Sequence, residues 1–170
     1  MSNVAFVTCD LLDDHPDLDI QVVIPSLDGK FFKCYGARKT FGGEVVTVKC
    51  FEDNSRVKEL LATEGTGKVL VVDGGASMRC ALMGDLIAES AVKNHWNGVI
   101  IYGCVRDVDA IAALDLGVHA LASIPQKSNR KGVGEVDVSL HFGQVTFNSG
   151  DYVYADNNGI IVAKEKLVDL

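Results

Sequence analysis

The chain has 170 residues, 48% of them hydrophobic, and a net charge of −7 from 16 basic and 23 acidic side chains. This length suits one domain spanning residues 1–170, and the acidic balance argues against nucleic acid as a direct partner, because a binder of phosphate backbone carries a basic face. The hydrophobic content and a mean hydropathy of +0.18 are high for a small soluble protein and point to apolar surface hidden between copies of the chain.

The first stretch, MSNVAFVTCDLLDDHPD, has no basic start and meets acidic residues within ten positions, so it does not read as a signal peptide. No run approaches the ~18 apolar residues that a membrane span needs, and a cytoplasmic protein is expected. From about residue 44 to 124, strand-like and helix-like patterns alternate. EVVTVKC (44–50) alternates and is β-branched, and DNSRVKELLA (53–62) has an Asx/Ser start with Val57, Leu60 and Leu61 at helical spacing. KVLVVDGG (68–75) is a short buried strand closed by glycines. SMRCALMGDLIAESAVKNHW (77–96) is apolar most of the way round a helical wheel and is expected to be a helix buried on nearly all sides. GVIIYG (98–103), VDAIAALD (108–115) and VHALASIP (118–125) read as strand, short helix and strand. Continuous apolar strands between helices mark an α/β layer covered on both faces. The remaining segments, VSLHFG, QVTFNSGD, YVYADNNG and IIVA, are short strands with turns at 148–151 and 157–159, an antiparallel meander.

Several motifs fail. EGTGKVL (64–70) approaches a phosphate loop, but Val69 stands where Ser or Thr is needed, and DGGAS and KGVGEV lack the glycines of a dinucleotide loop. The five cysteines form no C-x-x-C pair, and His15, His95, His119 and His141 show no metal-ligand spacing. The basic cluster Lys127–Lys131 reads as a solvated loop.

What remains is a sparse set of charges in apolar surroundings. Asp85 and Glu89 lie one turn apart on the stretch 77–96, where a buried carboxylate costs several kcal/mol unless it is paired, hydrogen-bonded or bound to a metal. Gly84 either sits within the helix or marks a fresh N-terminus whose free backbone N–H groups can hold an anion. Arg106 and Asp107 follow the strand 98–103, at a carboxyl end where open α/β sheets gather ligands. The same residues admit a purely structural reading, with Asp107 as N-cap of the next helix and Arg106 neutralising Asp85 or Glu89.

Asp85, twenty residues, then Arg106-Asp107 makes D-x20-R-D, set among FGGEVVTVKCFEDN (41–54), KVLVVDGGAS (68–77) and YADNNGIIV (154–162). Together these resemble the RraA-like family over roughly residues 4 to 163. The family contains protein regulators of ribonuclease E and metal-dependent aldolases that cleave 4-hydroxy-4-methyl-2-oxoglutarate and decarboxylate oxaloacetate. The resemblance implies a three-layer β/β/α swivelling-type α/β fold and a homotrimer with sites between subunits. It also implies Asp107 as direct ligand to Mg²⁺ or Mn²⁺, and Arg106 on the keto-acid oxygens. The backbone amides of Gly84, Asp85, Leu86 and Ile87 would hold a substrate carboxylate, and Asp85 would orient metal-bound water. Regulator-type members lack the full charged motif, which favours the enzyme reading here. The alternative is a non-enzymatic inhibitor that binds ribonuclease E by protein contact without touching RNA. Neither Glu165 nor Asp169 matches the acidic residue that longer aldolases offer to a neighbouring site. A methyltransferase label also used in this family finds no glycine-rich adenosylmethionine loop after a first strand.

Overall fold

Runs such as Val69–Val72 and Val99–Ile101 are fully buried, as apolar strands covered on both faces must be. The computed structural model describes residues 5–25 and 31–170. In chain order the elements are α1 (Thr8–Asp14), β1 (Gln21–Val22), β2 (Lys33–Cys34), β3 (Phe41–Lys49), α2 (Ser55–Leu61), β4 (Lys68–Asp73), β5 (Ala81–Met83) and α3 (Asp85–Lys93). There follow β6 (Gly98–Val105), α4 (Val108–Ile111), β7 (Gly117–Ser123), β8 (Glu135–Val136), β9 (Leu140–Phe142), β10 (Val145–Phe147), β11 (Tyr152–Asp156) and β12 (Gly159–Ala163). Among the described residues ten strands make one sheet in the order β1-β12-β11-β3-β4-β6-β7-β2, with β5 beside β6 and β8 beside β3. The central strands β3, β4, β6 and β7 are parallel, with Val46 opposite Leu70 and Leu70 opposite Val99. The outer strands β1, β2, β11 and β12 pair antiparallel.

Helices α2, α3 and α4 cover one face, packing Leu61, Ile87, Ala91 and Ile111 on Leu70, Val72, Val99 and Ile101. The other face carries the β9–β10 hairpin, whose Phe142 and Phe147 join Val69, Val71 and Ile100. Phe142 stacks on both Tyr102 and Phe147 with ring centroids 4.7 Å apart in each pair. Helices, large sheet and hairpin are the three layers expected. The C-terminal meander is divided, however: β9 and β10 form the outer layer, whereas β11 and β12 turn back into the main sheet. Phe41 lies against Gly98 and Gly117, where an added Cβ would sit 2.2 and 2.1 Å from its ring atoms, so neither position has room for a side chain.

The stretch 77–96 is not one helix. Ala81-Leu82-Met83 leave as a strand that pairs with the end of β6, and α3 starts afresh after Gly84. Ile87, Ala88 and Ala91 are buried, but Leu86 is 75% exposed, and Asp85 and Glu89 are half-buried. The apolar density that imitated an all-round buried helix belongs partly to a different element. The helix expected at 108–115 is a single turn. Among the described residues no helix is long and apolar enough to cross a membrane.

Candidate active site

Because β5 and β6 run parallel, with Met83 beside Val105, the turns that leave them lie side by side. The backbone seals this juncture, Arg106 N donating to Met83 O at 3.0 Å. Gly84-Asp85 and Arg106-Asp107 therefore meet. The twenty residues between them are one helix and one strand, which accounts for the D-x20-R-D spacing.

Asp107 occupies the N-cap position of α4 but adopts left-handed φ 55° and ψ 42°, and its side chain caps nothing in that helix. An ordinary N-cap has extended backbone and turns its carboxylate onto the following amides. Here Asp107 Oδ2 instead accepts a hydrogen bond from Asp85 N, 3.1 Å away at the start of α3. A left-handed non-glycine residue costs of order 1–3 kcal/mol and such residues gather at functional sites. Gly84 makes the approach feasible: a Cβ there would lie 2.5 Å from Asp107 Oδ2 and 3.3 Å from Arg106 Nε.

Arg106 is not the structural counter-ion that the sequence allowed. The only carboxylate near it among the described residues is its neighbour Asp107, with Nε 3.9 Å from Oδ2, and Nη1 donates to Pro125 O at 3.4 Å. Both side chains are about two-fifths exposed, at 39% and 41%. At the N-terminus of α3, Gly84 supplies no side-chain cap, and Leu86 N donates to Asp85 Oδ1 at 2.8 Å. The segment 84–87 thus presents the N–H end of a helix, with one amide held by Asp107 and another by Asp85 itself.

These groups line a cleft of about 470 Å³ shared with Ile87, Asn54 and the segment 127–130. The last two escaped the sequence reading. Asn54 is 5% exposed; its Nδ2 donates to Leu82 O at 3.1 Å, and its Oδ1 accepts from Arg130 Nε at 3.2 Å. The Asx start expected for α2 belongs to Asp53, whose Oδ1 accepts from Ser55 N. Lys127 and Arg130 are exposed, as a solvated loop implies, yet they line the same cleft as Arg106 and Asp107. Nothing local in KSNRK carries that information; it resides in backbone pairing with residues 52–54 and 81.

Cys104, next to the charged pair in sequence, is 1% exposed, and burial pushes its thiol up, which suits packing. A larger cavity of about 700 Å³ opens on the hairpin face between Phe32, Tyr102 and His119. His119 there is pushed down to about 4 by burial and stays neutral, and Asp156 is engaged by Thr8. Size favours that cavity, but the charged groups able to bind and polarise a substrate converge in the smaller cleft.

A cation would meet a hard carboxylate at Asp107, which lines the cleft beside Arg106. Among the described residues no three His, Cys, Asp or Glu side chains converge as a ready-made metal cage. One carboxylate with solvent completing the shell is the arrangement that suits Mg²⁺ or Mn²⁺ better than zinc.

The RraA-like (Aldolase/RraA) family model matches residues 8–162. The chain is 79% identical over 168 residues to a protein of Acinetobacter baylyi named "Putative 4-hydroxy-4-methyl-2-oxoglutarate aldolase", covering 99% of each chain. A protein of Pseudomonas aeruginosa with the same name is 57% identical over 162 residues, 95% of this chain and 96% of that one. Among solved structures, the "RNA-processing inhibitor RraA from Thermus thermophilis" superposes with a TM-score of 0.86 at 38% identity, covering 95% and 94% of the two chains. A Geobacillus kaustophilus structure named as an S-adenosylmethionine:2-dimethylmenaquinone methyltransferase gives 0.89 at 44% identity, covering 95% and 97%.

Proposed function

Since the chain belongs to the RraA-like family, we propose that it is a divalent-metal-dependent aldolase. It cleaves 4-hydroxy-4-methyl-2-oxoglutarate to two pyruvates and decarboxylates oxaloacetate through the same pyruvate enolate. The observation that carries this reading is Asp107, held in a left-handed turn that takes its carboxylate off α4 and onto Asp85 N, in the cleft beside Arg106 and Gly84. The names of the aldolase relatives at 79% and 57% identity support it.

Asp107 would hold the cation, which when bound acts as a Lewis acid on the keto and carboxylate oxygens. Arg106 presents a planar fork and a permanent charge to the same oxygens, where negative charge develops as the enolate forms. The substrate's first carboxylate sits on the amides at the start of α3 and displaces the Asp85 carboxylate from Leu86 N. Freed, Asp85 positions a water that relays the proton of the C4 hydroxyl to the Asp85 carboxylate. The C3–C4 bond then breaks, C4 becomes the keto carbon of one pyruvate, and the electron pair stays on C3 as the enolate of the other. The same proton, returned through that water to C3, completes the second pyruvate. With oxaloacetate the same bond releases carbon dioxide, leaving the same enolate.

The working form in this reading is a homotrimer, and the exposed Leu86 at the cleft mouth supports a wall contributed by a neighbouring copy. A second reading, inhibition of ribonuclease E by protein contact, is favoured by the similarity to the RNA-processing inhibitor. Pyruvate release separates the two. Purified protein with 4-hydroxy-4-methyl-2-oxoglutarate and Mg²⁺ or Mn²⁺ should form two pyruvates per substrate, and chelator should abolish it. No metal-dependent pyruvate, together with slowed RNA cleavage by ribonuclease E, would replace the enzyme with the regulator.

A further inference from the structure

We propose that Lys127 and Arg130 form a second carboxylate subsite that makes the cleft selective for dicarboxylic over monocarboxylic oxo acids. The inference rests on the function proposed above and adds the group that reads the far end of the substrate. Both cations line the same cleft as Arg106 and Asp107, and neither has a carboxylate partner among the described residues. Every other described arginine has a carboxylate partner: Arg38 pairs with Asp115, Arg56 with Glu59, Arg79 with Glu52 and Arg106 with Asp107. Two uncompensated cations facing one cleft create a local potential that draws in anions.

The segment that bears them is fixed. Ala81 N donates to Gln126 O at 2.7 Å, Asn54 N to Asn129 O at 3.1 Å, and Lys131 N to Asp53 Oδ2 at 2.7 Å. A loop pinned on both sides places its charges before the ligand arrives and loses little entropy on binding. Arg130 is further oriented through Nε by Asn54 Oδ1. The buried amide of Asn54 is itself set by Leu82 O, so its oxygen faces the guanidinium. That leaves the two terminal nitrogens of Arg130 for a carboxylate, in the fork geometry that arginine offers, with Lys127 as a point charge beside it. A substrate with one carboxylate on the α3 amides and Arg106 then presents its other carboxylate to this wall. In the cleavage above, that second carboxylate belongs to the pyruvate that departs as C4.

The test compares two unreactive acids that differ only at the far end: 2-oxoglutarate and 2-oxopentanoate. Each is titrated calorimetrically into the full chain with Mg²⁺. Wild type should bind 2-oxoglutarate about tenfold more tightly, the effect of one charge-assisted pair near solvent. Lys127→Gln and Arg130→Gln, singly and together, should erase that preference while 2-oxopentanoate affinity moves less than twofold, which also shows that the variants remain folded. Equal affinity of wild type for both acids, or equal losses for both in the variants, overturns the subsite alone. Binding of neither acid by wild type overturns the subsite and the aldolase reading together.

Discussion

Asp107 concentrates the chemistry and the strain of the cleft in one residue. Its left-handed backbone and its contact with Asp85 N depend on a glycine at position 84, because a methyl there would lie within 2.5 Å of Oδ2. Gly84→Ala should therefore lower kcat/KM at least ~100-fold, the scale expected when a catalytic group is misplaced by about an ångström, while the melting temperature changes little. Steady-state kinetics beside a thermal melt reads both; an active Gly84→Ala protein would show that Asp107 need not approach the start of α3. Arg106→Lys keeps the charge and loses the planar fork, and a drop of about 10- to 100-fold in kcat is expected from the loss of bidentate contact in the transition state. A lysine variant with full kcat would place the fork outside the reaction.

Between elements, the sequence was legible wherever a pattern was local. The twenty-residue gap from Asp85 to Arg106 equals a helix plus a strand, and the turn at Gly84 was open to reading as a fresh N-terminus. β5 was not legible, because Ala81-Leu82-Met83 is as apolar as a buried turn of helix, and only its pairing with β6 makes it a strand. The 127–131 segment is solvent-exposed as its composition implies, but its place beside the cleft was not legible, because that lies in hydrogen bonds to residues 53, 54 and 81, distant in sequence. A comparable long-range tie fixes α1, where Thr8 N and Oγ1 both donate to Asp156 at 2.8 Å. Burial alone would raise the Asp156 pKa, but the bonds from Thr8 and Asn158 outweigh it and hold the carboxyl below its usual value. The tie therefore stabilises at neutral pH and is lost as pH falls through the lowered pKa. Thr8→Val removes one bond to this buried carboxylate and should cost about 2 kcal/mol in urea unfolding at pH 7, with less difference near pH 2. Equal stability of the two proteins at pH 7 would deny the tie its role.

For the whole molecule, periodicity indicated an α/β layer with an antiparallel meander and the family resemblance implied the three layers, whereas the buried histidine in the sheet did not announce itself. His119 is 4% exposed, and no partner for either ring nitrogen is present among the described residues. Burial lowers its pKa from 6.5 to about 4, against an upward pull from Asp156 and with a further push down from Lys39. The unfolded chain then takes up this proton before the folded one, so stability is full above pH 6.5 and declines as pH falls toward 4. The loss amounts to about 3 kcal/mol at 1.36 kcal/mol per pH unit. His119→Leu should flatten this limb of the stability profile in urea titrations at pH 7 and 4.5; an unchanged slope would assign it to other groups. In solution, light scattering should find three chains per particle, and a monomer at micromolar concentration would contradict the trimeric reading.

The most direct measurement of the central claim is the rate of pyruvate formation from 4-hydroxy-4-methyl-2-oxoglutarate with Mg²⁺, wild type against Asp107→Ala. The rate should fall at least ~1,000-fold at unchanged melting temperature, as expected when the group that would hold the electrophilic cation is removed. Undiminished turnover in Asp107→Ala would contradict it.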